Sequence, residues 1–261
     1  MIRKPQHRKV DLGLSGRRVL VVGLGASGAA AAKFLRHQGA VVTVADQSAS
    51  PSHADQVALL ADMGVETRLG DQRPELFQET DLIVISPGVP TSIGPLAAAR
   101  RRHIPIIGEL ELAARFVKAP IIAVTGTNGK TTTTSLIAHL LSYTGLTVQT
   151  GGNIGTPLIE CVASKTAADV LVVEVSSFQL ETIETFRPRI AVLLNITPDH
   201  LDRYDGFEAY AQTKGRIFSN QQPSDTAIIN GADPVARNMS RHIAPNRWLF
   251  NGEGSVGALQ N

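Results

Sequence analysis

Short apolar runs alternate with stretches of helical periodicity along almost the whole chain. Residues 19–22 are Val-Leu-Val-Val, with no polar residue between them. A continuous apolar run of that length fits a strand buried on both faces, as in a parallel sheet. The spacing then predicts a helix over 27–38 stopped by Gly39, a strand over 41–46, a helix over 55–63 ended by Gly64, and a strand over 65–69. Strands at 82–86 and 104–107 flank a further helix at 96–102. Right-handed crossovers wind such a series into a doubly wound α/β sheet.

The rhythm restarts after Lys118-Ala119-Pro120. Strands are expected at 121–125, 170–175, 190–194, 226–230 and 248–250, and helices at 130–143, 207–220 and 233–242. No solenoid repeat is visible. Two α/β units each open with a strand and a glycine-rich turn, which sets domains at 1–118 and 119–261. Residues 252–257 read as a turn or loose end, and the second unit reads as unfinished at Asn261. Its sheet is therefore expected to expose an edge or an apolar face.

Composition narrows the class without changing it. Hydrophobic residues make up 43% of 261 and charged residues 18%, which excludes global disorder. The net charge of +2 comes from interspersed acids and bases and gives no footprint for nucleic acid. The single cysteine, Cys161, excludes an intramolecular disulfide and a cysteine-based zinc cluster. It reads as a small apolar side chain in a reducing compartment. No apolar run approaches the roughly 18 residues of a membrane helix. The basic first ten residues lack a following apolar stretch, so a frayed start to a soluble cytoplasmic protein is expected.

Two turns carry candidate chemistry. Gly23-Leu24-Gly25-Ala26-Ser27-Gly28 lies between the first strand and helix, and Asp46 lies near the end of the second strand. Glycines let backbone approach a phosphate, and the helix start supplies N–H donors. Taken alone, the turn fits a nicotinamide dinucleotide, any diphosphate-linked nucleotide, or a tight turn with no ligand. The second turn, Thr125-Gly126-Thr127-Asn128-Gly129-Lys130-Thr131, ends in the Gly-Lys-Thr triplet of phosphate-binding loops. Its first glycine would fall at Val124 in the commonest pattern, so the loop departs from that pattern. An ATP or GTP site is the expectation. Glu174 ends an apolar strand at the carboxyl edge of the sheet, where a carboxylate suits magnesium.

The loop Thr-Gly-Thr-Asn-Gly-Lys-Thr resembles that of the Mur ligases and of the folylpolyglutamate synthetases, which join an amino acid to a carboxylate at the expense of ATP. Further segments are similar to the Mur ligases alone. They are the first-unit turn, Ser86-Pro87-Gly88-Val89, Gly151-Gly152-Asn153-Ile154-Gly155, Glu174 to Glu181, and Leu194 to Tyr204. The resemblance runs in order from about residue 12 to about residue 250 and is narrowest to the branch that adds D-glutamate to UDP-N-acetylmuramoyl-L-alanine in bacterial peptidoglycan synthesis. It implies a Rossmann-like N-terminal domain that holds the UDP substrate, followed by an ATP-binding P-loop-type domain. It also implies an ADP-forming reaction through an acyl phosphate, and a monomer when complete.

Site residues follow from that resemblance. Thr127, Asn128, Gly129, Lys130, Thr131, Thr132 and Thr133 would line the ATP phosphates. Ala26, Ser27, Asp46, Gly88, Asn153, Ser176, Gln179 and His200 would meet the UDP substrate. Gln47 stands where the family often has a small hydroxyl residue, which weakens the match at the uracil. Lys130, Glu174, His200 and Lys214 would carry the chemistry; Thr131, Glu174, His200 and a carbamylated Lys214 would hold one or two magnesium ions. The resemblance implies that the family's C-terminal domain binds the incoming amino acid, and no counterpart of it is expected within these 261 residues. The chain alone is therefore expected to form no amide. Competing readings are a dehydrogenase, which the Gly-Lys-Thr loop disfavours, a folylpolyglutamate-type ligase, which lacks the first unit, and a non-catalytic nucleotide-binding module.

Overall fold

The computed structural model describes residues 13–50, 53–71 and 73–252. The expectations for the first ten residues, and for 253–257 of the last glycine-rich turn, lie outside the described residues. The first unit has five parallel strands, β1 (Arg18–Val22), β2 (Val41–Asp46), β3 (Glu66–Leu69), β4 (Leu82–Ile85) and β5 (Ile106–Gly108), in the order β3-β2-β1-β4-β5. Its helices are α1 (Ala26–His37), α2 (Ala54–Asp62), α3 (Pro74–Gln78), α4 (Gly94–Arg101) and α5 (Glu109–Ala114). This is the strand order of a doubly wound nucleotide-binding fold. Ala29, Ala30, Ala31 and Ala32 are buried on α1, and such small side chains let the helix lie close to its neighbours.

The second unit has six parallel strands in the order β11-β10-β9-β6-β8-β7. They are β6 (Ile121–Thr125), β7 (Val148–Gly152), β8 (Val170–Glu174), β9 (Ile190–Leu193), β10 (Thr226–Asn230) and β11 (Asn246–Phe250). The helices between them are α6 (Lys130–Ser142), α7 (Leu158–Ala163), α8 (Ser177–Leu180), α9 (Phe207–Gly215) and α10 (Pro234–Met239). The helix expected over 207–220 stops at Gly215 and tightens into a short 3-10 turn over Arg216–Phe218. The helix expected over 233–242 is shorter, with Asp233 capping its start by accepting from the N–H groups of Val235 and Ala236.

Two buried carboxylates of α5 join the units. Glu111 is fully buried. Its Oε2 accepts from the N–H groups of Glu184 (2.8 Å), Thr185 (2.9 Å) and Phe186 (3.0 Å), and its Oε1 from Thr185 Oγ1 (2.6 Å) and Arg115 Nε (2.9 Å). A buried charge is tolerated where hydrogen bonds surround it this fully. Glu109 Oε1 accepts from Ile159 N–H (2.7 Å) at the start of α7, while its Oε2 has no partner among the described residues. Just before them the Gly108 backbone packs closely on a second-unit side chain: a Cβ added there would lie 2.3 Å from Thr182 Oγ1.

Burial pushes the Glu109 carboxyl up from 4.5 to about 7. The folded protein thus binds this proton more tightly than the unfolded chain. The resulting stability is whole below about pH 4.5 and is lost as pH rises through about 7. Glu109→Gln, which keeps an acceptor for Ile159, should remove this loss and gain on the order of 2–3 kcal/mol over the native protein at about pH 8. Urea unfolding of both proteins between about pH 5 and 8 checks this; parallel pH profiles would contradict it.

Candidate functional site

The second-unit turn is built from β6 and α6. Gly126 (φ 155°) and Gly129 (φ 83°) take backbone conformations that favour glycine, and Gly129 caps α6. Val124, where the commonest pattern would have its first glycine, lies inside β6 and is buried. The loop is therefore shorter, and Gly126 begins it. Asn195, just past β9, clamps it from below: its carbonyl accepts from Thr127 N–H (3.0 Å), its side-chain oxygen from Asn128 N–H (2.8 Å), and its amide donates to Asn128 O (3.0 Å). Lys130 Nζ curls back to donate to Gly126 O (3.1 Å) and Thr127 O (2.8 Å). Thr132 is exposed and Thr133 half-buried on the first turn of α6. Such a helix start, with a lysine folded over a glycine loop, suits an anion.

Glu174 ends β8 directly beside this loop and is buried. Its Oε2 accepts from Thr131 Oγ1 (2.8 Å) and its Oε1 from Asn153 Nδ2 (2.9 Å). Lys214 on α9 is 2% exposed, and its Nζ donates to Gly126 O at 2.9 Å. The same Nζ lies 4.7 Å from the centre of the Tyr210 ring. It makes no ion pair among the described residues. Burial, and then the charge of Lys130, push this amine down to about 7. Tyr210 OH in turn shares a hydrogen bond of 3.1 Å with Thr127 Oγ1.

The first-unit turn lines a cleft of about 430 Å³, together with Asp46, Gln47, the Ser86–Gly88 segment, and Gly152, Asn153 and Gln179 from the second unit. Ala26, Ser27 and Gly88 line it, as do Gly25 and Gly23. Asp46 both lines the cleft and braces the turn, since its Oδ2 accepts from Leu24 N–H (2.6 Å) and its Oδ1 from Ser48 N–H (2.7 Å). Gly25 and Gly28 of the turn differ in how far the protein itself needs them. A Cβ at Gly28 would lie 1.8 Å from Gly23 O, whereas one at Gly25 would meet nothing within 4 Å. Gly25 also has an ordinary φ of −78°. The protein itself therefore does not require glycine at 25, and the space opens toward the cleft.

Not every expected residue gathers at these places. Ser176 caps α8, accepting from Gln179 N–H (3.3 Å) while its own N–H donates to Gln179 Oε1 (3.0 Å), and it does not line the cleft. Gln179 does, and its Nε2 is buried without a partner among the described residues. His200 adopts φ 51°, which is uncommon for a non-glycine residue, with its ring 4.8 Å from Phe178 and its Nε2 3.5 Å from Asp199. Nothing joins it by hydrogen bond to Thr131 or Glu174 among the described residues. No three His, Cys, Asp or Glu side chains converge on one point among the described residues.

Residues given no role from sequence also shape the site. Arg203 reaches from the second unit to Val89 O (3.3 Å), pairs with Glu181 (3.0 Å) and lies 4.0 Å over the Phe178 ring. Asn195 and Arg203 both lie in the 194–204 segment, whose local sequence does not reveal what each side chain touches.

Two glycine turns, each feeding a helix start at the carboxyl ends of parallel strands, define a two-unit α/β fold of nucleotide-binding type. Residues 124–255 match the Mur ligase middle domain, and residues 17–108 match the MurD-like N-terminal domain of Mur ligases. The chain belongs to the Mur ligase family. It is 49% identical over 250 residues to the UDP-N-acetylmuramoylalanine--D-glutamate ligase of Desulfatibacillum aliphaticivorans, covering 95% of this chain and 56% of that protein. It is 52% identical over 235 residues to the enzyme of the same name from Desulfosudis oleivorans, covering 90% of this chain and 51% of that protein. The chain thus spans about half the length of the curated relatives it matches. Among solved structures, the fold is similar to UDP-N-acetylmuramate:L-alanyl-gamma-D-glutamyl-meso-diaminopimelate ligase from Neisseria meningitides (TM-score 0.60, 19% identity, 90% of this chain and 80% of that one). It is also similar to the UDP-N-acetylmuramate-alanine ligase of Thermotoga maritima (TM-score 0.53, 20% identity, 90% of this chain and 53% of that one).

The glycine geometry gives a paired expectation. Gly28→Ala must push α1 away from the turn and should cost about 3 kcal/mol, a typical overpacking penalty. Gly25→Ala should stay within about 0.5 kcal/mol of the native chain. Denaturant midpoints of the two variants decide it; equal losses would contradict the reading.

Proposed function

We propose that the chain carries the UDP-substrate and ATP sites of an ADP-forming ligase that adds D-glutamate to UDP-N-acetylmuramoyl-L-alanine in the cytoplasm of a bacterium, acting as a monomer. Residues 1–118 form the substrate-binding domain and 119–261 the ATP-binding domain in this reading. One observation carries it: Glu174 accepts from Thr131 of the phosphate loop at 2.8 Å and from Asn153 of the substrate cleft at 2.9 Å. A single buried carboxylate therefore touches both places from which reacting groups would come.

The residues present fit magnesium, which takes oxygen donors and few protein ligands. Thr131 and Glu174 offer a hydroxyl and a carboxylate already in contact. His200 and Lys214 complete the proposed set. Lys214 would act as a carbamate: burial and a downshifted amine favour the neutral nucleophile that adds to carbon dioxide, and the product is an anion. The metal, when bound, would neutralise phosphate charge during transfer.

The chain's own residues do the rest. Lys130 and the 127–133 backbone and hydroxyls hold the ATP phosphates. Gly25, Ala26, Ser27, Asp46 and Gly88 hold the UDP portion, and Gln179 and Asn153 orient the part of the substrate nearest Glu174. The muramoyl-alanine carboxylate attacks the γ-phosphorus, ADP leaves, and the amine of D-glutamate displaces phosphate from the acyl carbon with loss of a proton. No described residue is assigned to D-glutamate.

Calorimetry with UDP-N-acetylmuramoyl-L-alanine, UDP, NAD and a non-hydrolysable ATP analogue tests the reading. The UDP-sugar and the ATP analogue should bind and NAD should not. Lys130→Ala should weaken the ATP analogue by about 3 kcal/mol, as expected for a lost phosphate-neutralising charge, and leave the UDP-sugar unaffected. Binding of NAD without UDP-sugar, or unchanged ATP affinity in the variant, would overturn it.

A further inference from the structure

One wall of the cleft is short of backbone donors. It is the turn Ser86-Pro87-Gly88-Val89-Pro90, which runs on from β4 and lines the cleft. Its two prolines carry no N–H. Ser86 is tied where the turn leaves β4: its N–H donates to Val22 O (2.9 Å) and its Oγ to Gly23 O (2.9 Å). Val89 N–H donates back to Ser86 O at 3.0 Å. The Val89 side chain packs on the glycine turn, since a Cβ added at Gly23 would lie 3.0 Å from Val89 Cγ2. The position of Val89 therefore sets how closely this wall meets the glycine turn.

The Val89 carbonyl is held from the other unit. Arg203 Nη2 donates to it at 3.3 Å across 114 positions of sequence. A side chain so long and flexible must be aimed by its surroundings. Glu181, at the end of α8, takes Arg203 in a two-point fork, Oε1 accepting from Nε (3.1 Å) and Oε2 from Nη2 (3.0 Å). Tyr204 OH donates to Glu181 Oε1 at 2.8 Å and orients the carboxylate. The Phe178 ring, 4.0 Å from Arg203 Cζ, supports the planar cation. The fork uses one hydrogen of Nη2 and leaves the other for Val89 O. Arg203 and Glu181 are 14% and 12% exposed, so solvent screens their pair little. The other junction contacts do not reach the cleft: Glu109 and Glu111 do not line it, whereas Val89 does.

We propose that Arg203 is a positioning residue for the UDP end of the substrate: from the second unit it holds the Ser86–Val89 turn against the glycine turn, so that this wall is in place before the ligand arrives. A wall fixed beforehand spares the ligand the cost of ordering it. The role rests on the assignment of the cleft to the UDP substrate and deepens it.

Two variants test it. Arg203→Ala removes the donor. The double variant Arg203→Met, Glu181→Gln removes the whole ion pair, so that no half-buried carboxylate is left unpaired. Circular dichroism and denaturant midpoints check that both are folded. Calorimetry on either should show UDP and UDP-N-acetylmuramoyl-L-alanine weakened by the same factor, about tenfold, as expected for a lost hydrogen bond from a charged donor. The non-hydrolysable ATP analogue should bind as in the native chain. A purely structural role would lower the midpoints and leave UDP affinity unchanged, which would overturn the proposal. So would an equal loss for the ATP analogue, or a loss confined to the sugar-bearing ligand, which would place the effect at Phe178 and Gln179. Amide hydrogen exchange of the free protein separates this role from the cleft assignment. Val89 N–H should exchange about tenfold faster in both variants, while Thr127 N–H, held by Asn195 O, keeps its native rate. Unchanged exchange at Val89 overturns the proposal whatever binds in the cleft. A native chain that binds neither uridine ligand overturns the cleft assignment, and faster exchange at Val89 would then still support the hold of Arg203 on this wall.

Discussion

The buried carboxylate of Glu174 is the point on which the arrangement turns. It sits at the carboxyl end of β8 with one oxygen on Thr131 and the other on Asn153. A charged group so placed is tolerable only while both partners stay in position. Thr131 is fixed because α6 starts there, at a loop that Asn195 clamps. Asn153 is fixed because its own N–H donates to Glu174 O at 2.8 Å, and a Cβ at the preceding Gly152 would lie 2.2 Å from that same carbonyl. The Gly126–Thr131 loop and the cleft are thus tied together through one side chain.

That link matters only if the two units keep their relative positions. Glu111 fastens α5 to the backbone at 184–186, and Arg203 reaches back to Val89. The cleft draws Gly152, Asn153 and Gln179 from one unit and the glycine turn from the other, so any slippage between units would open it. Glu109, with one oxygen unpaired, is the weak member of this junction.

Much of the fold was legible because it is written in continuous apolar runs. β2, β6 and β10 match their expected spans, and the glycine turns fall between strand and helix as the pattern required. The elements that escaped are short or break the pattern. β7 is Val-Gln-Thr-Gly-Gly, with little apolar signal. α3 and α8 are too short to show a period, and α5 buries Glu109 and Glu111 where the pattern would ask for apolar residues. Trp248 and Phe250, on the edge strand β11, are just over a third exposed. In the site, the Gly-Lys-Thr triplet and Glu174 were readable because their chemistry is local. Asn195, Tyr210 and Arg203 were not, because each acts on residues 67, 83 or 114 positions away. Ser176 drew notice for its motif, yet its side chain is spent on the cap of α8.

The central claim is that Glu174 links the two sites. The most direct measurement is the affinity of the chain for UDP-N-acetylmuramoyl-L-alanine with and without magnesium and a non-hydrolysable ATP analogue, in the native protein and in Glu174→Ala. Coupling between two sites is a difference in free energy that each ligand feels from the other. The account predicts that the native affinity changes when the nucleotide is present and that the change vanishes in the variant. The same change in both proteins would contradict it.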